Sequence, residues 1–314
     1  MKCRWILAFF AVVMAVSFSA CGPSEPDSAE ETVETVVESV RPSAVIDIKA
    51  TNYAFTAPPK FPSGWVTLRF DNQAPETHFM ILWRLPEGKT FDEWVVDIAN
   101  PFNDLYREYR AGTMDKEALF ERLGEAIPEW FGSAQPKGGP GFTAPNRVSQ
   151  TTVFLEPGDY VMECYVRAKD EDNTFHNKHG MLRPLIVTGE TAAESPPEAG
   201  VEITLSNYEL SVEGEMSSGE QTVRVRVVED PEGLIKHNAH LVKLDDETAA
   251  EDVAGWLDWV DAMLPPAPAE FLGGAGQTLA GSDSYVTVDL EPGRYAWVSE
   301  AWGVQGMIHE FVVE

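Results

Sequence analysis

Five side chains in the first two thirds of this 314-residue sequence are of the kinds that soft metal ions take as ligands. Cys164, His176, His179 and Met181 fall within LEPGDYVMECYVRAKDEDNTFHNKHGMLRPLIV, residues 155–187, and His78 lies upstream. Thiolate, thioether and imidazole together suit copper better than they suit the hard cations, which prefer oxygen. The six histidines fall in two equivalent regions, with His78, His176 and His179 in one and His237, His240 and His309 in the other. Each residue also has a plainer reading. A buried cysteine can be an inert small hydrophobe, and a histidine on a strand can be a satisfied core residue.

For these groups to meet, particular elements must carry them. Pro157-Gly158 reads as a tight turn, and the segment after it alternates like a strand. Tyr160, Met162, Cys164 and Val166 share one face. Val161, Glu163, Tyr165 and Arg167 share the other, and the charges of Glu163 and Arg167 predict that this second face meets solvent. Cys164 is thereby expected to point inward.

Gly158-x-Tyr160, Cys164, His176 and Met181, in that order, resemble the last two strands of the cupredoxin, or type 1 copper, family. The resemblance implies a Greek-key β-sandwich and one copper ion held by Cys164, His176 and His78, with Met181 as axial ligand and His179 as a substitute imidazole. Eleven residues separate Cys164 from His176, more than the few usual in that family, so the ligand loop must fold back through an acidic tip at residues 169–173. The function implied is outer-sphere electron transfer or copper handling. The competing reading is a cupredoxin-shaped binding or scaffold protein of the cell envelope that holds no metal.

The motif recurs, altered, at the C-terminus as LEPGRYAWVSEAWGVQGMIHEFVV, residues 290–313. Thr51-Asn52-Tyr53 returns as Ser206-Asn207-Tyr208, His78 as His237, and Gly138-Gly139-x-Gly141 as Gly273-Gly274-x-Gly276. So many matched spacings predict an internal duplication. The fold class is therefore mainly β, with two tandem cupredoxin-like sandwiches at residues 44–190 and 200–314 joined by a linker at 191–199. In the second copy Ser299 replaces the thiolate and Trp302 takes the place of His176, which predicts a second half without metal. Each copy carries a helical insertion after its His strand. In the first, Thr90-x-x-Glu93 reads as a capping box, with further helix near 103–110 and 115–123; in the second, one helix is expected from Thr248 to about Met263. The first insertion is rich in aromatics, including Phe91, Trp94, Phe102, Tyr106, Trp130 and Phe131. A small core of its own, a lid over the site and a docking surface are all open readings of it.

The N-terminus frames the compartment. Lys2 and Arg4, an apolar run from Trp5 to Val16, and Ser17-Phe18-Ser19-Ala20-Cys21 form an export signal with a lipobox-like end, residues 1–21. Lipidation of Cys21 is expected, followed by an acidic, disordered tether at residues 22–43, which places the protein on the periplasmic or extracellular face of a bacterial membrane. Cys164 then lacks an intrachain disulfide partner. With 23 Lys+Arg against 51 Asp+Glu, a net charge of −28, the chain is not expected to bind nucleic acid; a basic redox or envelope protein is the partner such charge would steer. Multicopper oxidases need His-x-His pairs, and this chain has none; a binuclear copper loop needs two cysteines. Catalysis is therefore not expected.

Overall fold

The computed structural model describes residues 44–169 and 174–314. The export signal, Cys21, the tether and most of the acidic tip lie outside the described residues.

The described chain is mainly β. Its first half runs β1 (Ala44–Thr51), β2 (Ala54–Thr56), β3 (Lys60–Asn72), β4 (Ile81–Arg84), β5 (Gln135–Pro136), β6 (Val148–Leu155), β7 (Gly158–Glu163) and β8 (Leu182–Thr191). Its second half runs β9 (Val201–Ser206), β10 (Glu209–Glu213), β11 (Gly219–Glu229), β12 (His237–Leu244), β13 (Glu270–Thr278), β14 (Asp283–Leu290), β15 (Gly293–Val298) and β16 (Ile308–Val313). In the first half β1 pairs with β2 and, in parallel, with β3; β3 pairs with β6, β4 with β5 and β7, and β7 with β8. The second half repeats these pairings between its counterpart strands, including the parallel one between β9 and β11, while a further parallel pairing of β3 with β8 has no counterpart among its described strands. The alternation that marks a half-buried strand places Val66, Leu68 and Phe70 of β3 in the core, and Val223, Val225 and Val227 of β11 likewise.

The halves are joined by their backbones. β6 pairs antiparallel with β14, so strands of both halves share one sheet. Beside that junction the two glycine motifs bind each other: Gly141 N–H donates to the Gly274 carbonyl at 3.0 Å, and Gly276 N–H donates to that of Gly139 at 2.9 Å. Two flanking bonds complete the joint, from Gly138 N–H to the Gln277 carbonyl and from Gly273 N–H to that of Phe142, both 2.8 Å. Gly139 and Gly274 each hold φ at +139°, and a Cβ on either would lie 2.2 Å from the Met80 carbonyl oxygen or 2.3 Å from that of Ala239. Only glycine lets the chains approach this closely.

The first insertion forms α1 (Phe91–Trp94), α2 (Asn100–Arg110) and α3 (Lys116–Ala126). The predicted capping box is present, with the Glu93 N–H donating to Thr90 Oγ1 and the Thr90 N–H donating to the Glu93 carboxylate. One helical turn, α4 (His176–His179), follows β7 later in the chain, and α5 (Ala250–Trp256) lies in the second half. This last helix is shorter than its sequence pattern predicts. Beyond Trp256, the Asp258 carboxylate takes the N–H groups of Val260 and Asp261, and the Trp256 carbonyl accepts from Met263 N–H at 2.7 Å, so the chain folds back over the helix end.

The aromatic insertion packs on this fold-back. Tyr106 Oη donates to the Val260 carbonyl at 2.8 Å, Lys116 pairs with Asp261 at 2.7 Å, and the Phe102 and Trp259 rings lie 6.1 Å apart. Its cover reverses one expectation from the sequence. The Glu163 and Arg167 face of β7 and its extension is not at the solvent: Glu163 is 7% exposed and Arg167 is fully buried, its guanidinium donating to the Ala262 carbonyl and lying over the Tyr106 ring. Period-two alternation separated the two faces correctly. It could not show that an insertion 60 residues upstream covers one of them.

Candidate metal centre

Three backbone bonds set the site at the open end of β7. Cys164 N–H donates to the Met181 carbonyl at 3.0 Å, Met181 N–H to that of His176 at 3.1 Å, and His176 N–H to that of Val166 at 2.7 Å. They draw the start of β8 and the α4 turn against the cysteine. His78 enters from the loop before β4, where it exchanges backbone bonds with Thr143, while Asn72 Nδ2 holds that loop by donating to the carbonyls of Glu76 and Thr143.

The result is a buried triad. His78 Nδ1 lies 3.8 Å and His176 Nδ1 3.6 Å from Cys164 Sγ, and the two imidazole centroids are 4.6 Å apart. Bonds of about 2.0 Å to nitrogen and about 2.3 Å to sulfur, spread at 120°, would set each N–S separation near 3.7 Å. Both nitrogen–sulfur separations thus already match that spacing. His78, Cys164, His176 and Met181 are all 1% exposed or less. Among the described residues these three side chains form a close cluster of metal-ligating atoms, all within 4.8 Å of one another. Met181, tied to both Cys164 and His176 through its backbone, is buried beside them. His179 is exposed and hydrogen-bonded to Thr174 Oγ1 through Nε2, apart from the triad.

Burial, then the neighbouring His176, pushes His78 down to about 3, so its imidazole is neutral and keeps a lone pair for a metal. Burial pushes the Cys164 thiol up to about 12. A divalent cation at the triad would reverse that cost, because a coordinated thiol gives up its proton. His176 has a second partner in Glu76, whose carboxylate lies 3.1 Å from Nε2 and also accepts from Tyr53 Oη at 3.3 Å. The bond to His176 holds Glu76 below the usual carboxylate range. A proton shared at Nε2 leaves Nδ1 as the ligating atom and makes the ring a better donor. Glu76 and Tyr53 do not emerge from the ligand pattern. The signal for Glu76 is its position two residues before His78 on the same loop.

The second half keeps the frame of the site without its chemistry. Ser299 N–H donates to the Met307 carbonyl, and Met307 N–H to that of Trp302, both at 3.1 Å, matching the bonds of Cys164, Met181 and His176. Serine and tryptophan therefore stand where the first half has thiolate and imidazole. His237 is buried at the position matching His78. His240 serves the joint, accepting from Phe142 N–H at Nδ1, and His309 stacks on Phe311 at 6.2 Å.

No family model matches the chain, and no curated protein matches it. Solved structures give weak likenesses. Auracyanin B is 22% identical over 38% of this chain and 93% of its own, with a TM-score of 0.27. Auracyanin A, described as a "blue" copper protein from Chloroflexus aurantiacus, is 17% identical over 46% of this chain and 99% of its own, with a TM-score of 0.28. An azurin from Methylomonas sp. strain J is 18% identical over 36% of this chain and 95% of its own, also at 0.28. Likenesses this low show no family.

Next to the site a polar network crosses between the halves. Tyr165 Oη lies 2.9 and 3.0 Å from the two Glu300 carboxylate oxygens, and Asn238 Nδ2 donates to that carboxylate at 3.1 Å. Burial raises Glu300 from 4.5 to about 8. The native state then keeps a proton that the unfolded chain releases above its own lower value, so this group's contribution to stability falls as pH rises from about 4.5 to about 8. The slope from one proton is at most about 1.4 kcal/mol per pH unit. Glu300→Gln is expected to reduce that fall, leaving the part due to Glu163, which burial raises to about 7. Urea unfolding from pH 5 to 9 measures it; a variant with the wild-type slope would show that Glu300 is already ionised in the fold.

Proposed function

We propose that this chain is a membrane-tethered, cupredoxin-like protein that would hold one copper ion on His78, Cys164 and His176, with Met181 as a further ligand, and pass single electrons. The observation that carries the reading is the buried triad, in which two Nδ1 atoms face one Sγ at 3.6 and 3.8 Å. Bound copper would supply a one-electron couple in a ligand set that serves both oxidation states. The protein's own part is to fix the ligands in advance: β7 and β8 clamp Cys164 and Met181, and Glu76 orients His176. A buried ligand set with no open position fits transfer through the protein rather than turnover of a bound substrate. The burial of His78, Cys164, His176 and Met181 also fits retention of the ion better than hand-over.

The Ser-Ala-Cys-Gly end of the leader supports a lipid on Cys21 and a place on the outer side of a bacterial membrane. The net charge of −28 supports a basic redox partner, and serine and tryptophan at the matching positions support a single copper per chain. In this reading the two halves are copies of one sandwich, of which the second has kept the frame and lost the ligands.

Titration of the metal-free chain with Cu(II), followed by visible absorption and electron paramagnetic resonance, tests the proposal. An intense thiolate-to-copper band that saturates at one equivalent and is absent from Cys164→Ala is the expected result. A chain that takes up no copper under these conditions would instead be a metal-free envelope binding protein.

A further inference from the structure

Against the far side of β7 from Cys164, the insertion and the second half enclose a cavity of about 60 Å³. A single water needs roughly 10–15 Å³ by this measure, so the space holds about four or five heavy atoms. Its wall is a run of aromatic rings. Trp94 meets Phe131 at 5.6 Å between centroids, Phe131 meets Phe102 at 6.4 Å, Phe102 meets Trp259 at 6.1 Å, and Trp259 meets Phe175 at 6.2 Å. Into the same space comes the carboxylate of Glu163, 7% exposed, which accepts from Asn177 Nδ2 at 2.6 Å and has no salt-bridge partner among the described residues. None of the described residues lining the cavity is Lys or Arg.

A buried carboxylate without a counter-ion is costly, and aromatic faces carry the negative side of their quadrupole toward whatever they enclose. Both features favour the same occupant. We propose that this cavity binds a small methylated ammonium group, with the rings of Trp94, Phe102, Phe131, Phe175 and Trp259 around the methyls and Glu163 balancing the charge. A trimethylammonium head has the size of the space, and its charge, spread over methyl groups, is cheaper to take from water than that of a bare ammonium. Cation–π attraction strengthens when the cation is desolvated, as it would be here. Leu234, 38% exposed, is the exposed residue of the lining and marks the way in, and the negative charge of the whole chain draws cations toward it. The proposal does not rest on copper. Glu163 precedes Cys164, and Phe175 and Asn177 flank His176, but the cavity lies on the opposite face of β7 and its test uses no metal.

The test uses the full metal-free chain in mild detergent, titrated with tetramethylammonium chloride at constant ionic strength and followed by tryptophan fluorescence and calorimetry. tert-Butanol, with the same five heavy atoms around one centre and no charge, is the control. Saturable binding near the millimolar range, at least about tenfold weaker for tert-butanol and for Glu163→Gln, is expected. Gln keeps the acceptor for Asn177, and the unfolding temperature checks that the variant folds. Leu234→Trp, which narrows the mouth and leaves Glu163 in place, is expected to lose binding by a similar factor. Equal affinity for the alcohol would make the cavity an apolar pocket, and no saturable binding would make it a water-filled space; either result overturns the proposal.

Discussion

One equivalent of copper is expected to raise the unfolding temperature of this protein by about 10 °C, and Cys164→Ala is expected to remove the rise. A ligand that binds only the native state stabilises it by about 4 kcal/mol when present at a thousand times its dissociation constant. For a fold of this size each kcal/mol moves the midpoint by roughly 2–4 °C. The His78 and His176 nitrogens already stand 3.8 and 3.6 Å from the sulfur, close to the separations a shared ion would set, so little of the binding energy is lost in rearranging the protein. The thiol carries the effect because its burial favours the neutral form until a cation takes the proton's place. Without metal, the variant loses only a buried sulfur atom and is expected to melt within a few degrees of the parent. Calorimetry of both proteins with and without copper measures this. A rise that survives in Cys164→Ala would place the stabilising copper on histidines elsewhere.

A larger loss is expected from a residue with no chemistry at all. Gly139→Ala sets a methyl 2.2 Å from the Met80 carbonyl oxygen, at a φ of +139° that side chains avoid. Neither atom belongs to a flexible side chain, so relief requires the backbone to move, and there the backbone bonds between the glycine motifs join the halves. The cost is expected to be about 3 kcal/mol or more, adding an unfavourable backbone angle to an overpacked contact. Gly132→Ala, with nothing within 4 Å of its added Cβ, is the matched control and is expected to change stability little. Chemical denaturation of the two variants decides it. Equal midpoints would mean that the joint yields easily.

Cys164, His176 and His78 stood out in the sequence because rare side chains at fixed spacings limit the chemistry available to them. Cys164, His176 and His78 meet as their order implies. The strands were legible from alternation and turn residues, and the capping box at Thr90 from its two complementary side chains. What escaped depends on contacts between distant segments. The glycine motifs were visible as a repeat, yet repetition says that two segments are alike and not that they bind each other. Glu163 and Arg167 looked like a solvent face because charge usually marks one; the cover comes from α2 and from the fold-back after α5. That fold-back escaped as well, since Asp258 ends a helix that the apolar pattern alone would continue. Glu76 was readable only as one acid among 51 Asp+Glu.

The contacts that cover β7 also fix when the fold can be completed during synthesis. Arg167 waits for the carbonyl of Ala262, 95 residues later, and Tyr106 for that of Val260, 154 residues later. β6 waits in the same way for β14. A nascent chain that has just produced Cys164 and His176 has therefore brought in the last of the triad but not the full cover on the opposite face of β7. Until the last quarter of the polypeptide emerges, β7 keeps one bare face and β6 an unpaired edge, so a chaperone that shields strand edges has its longest task here.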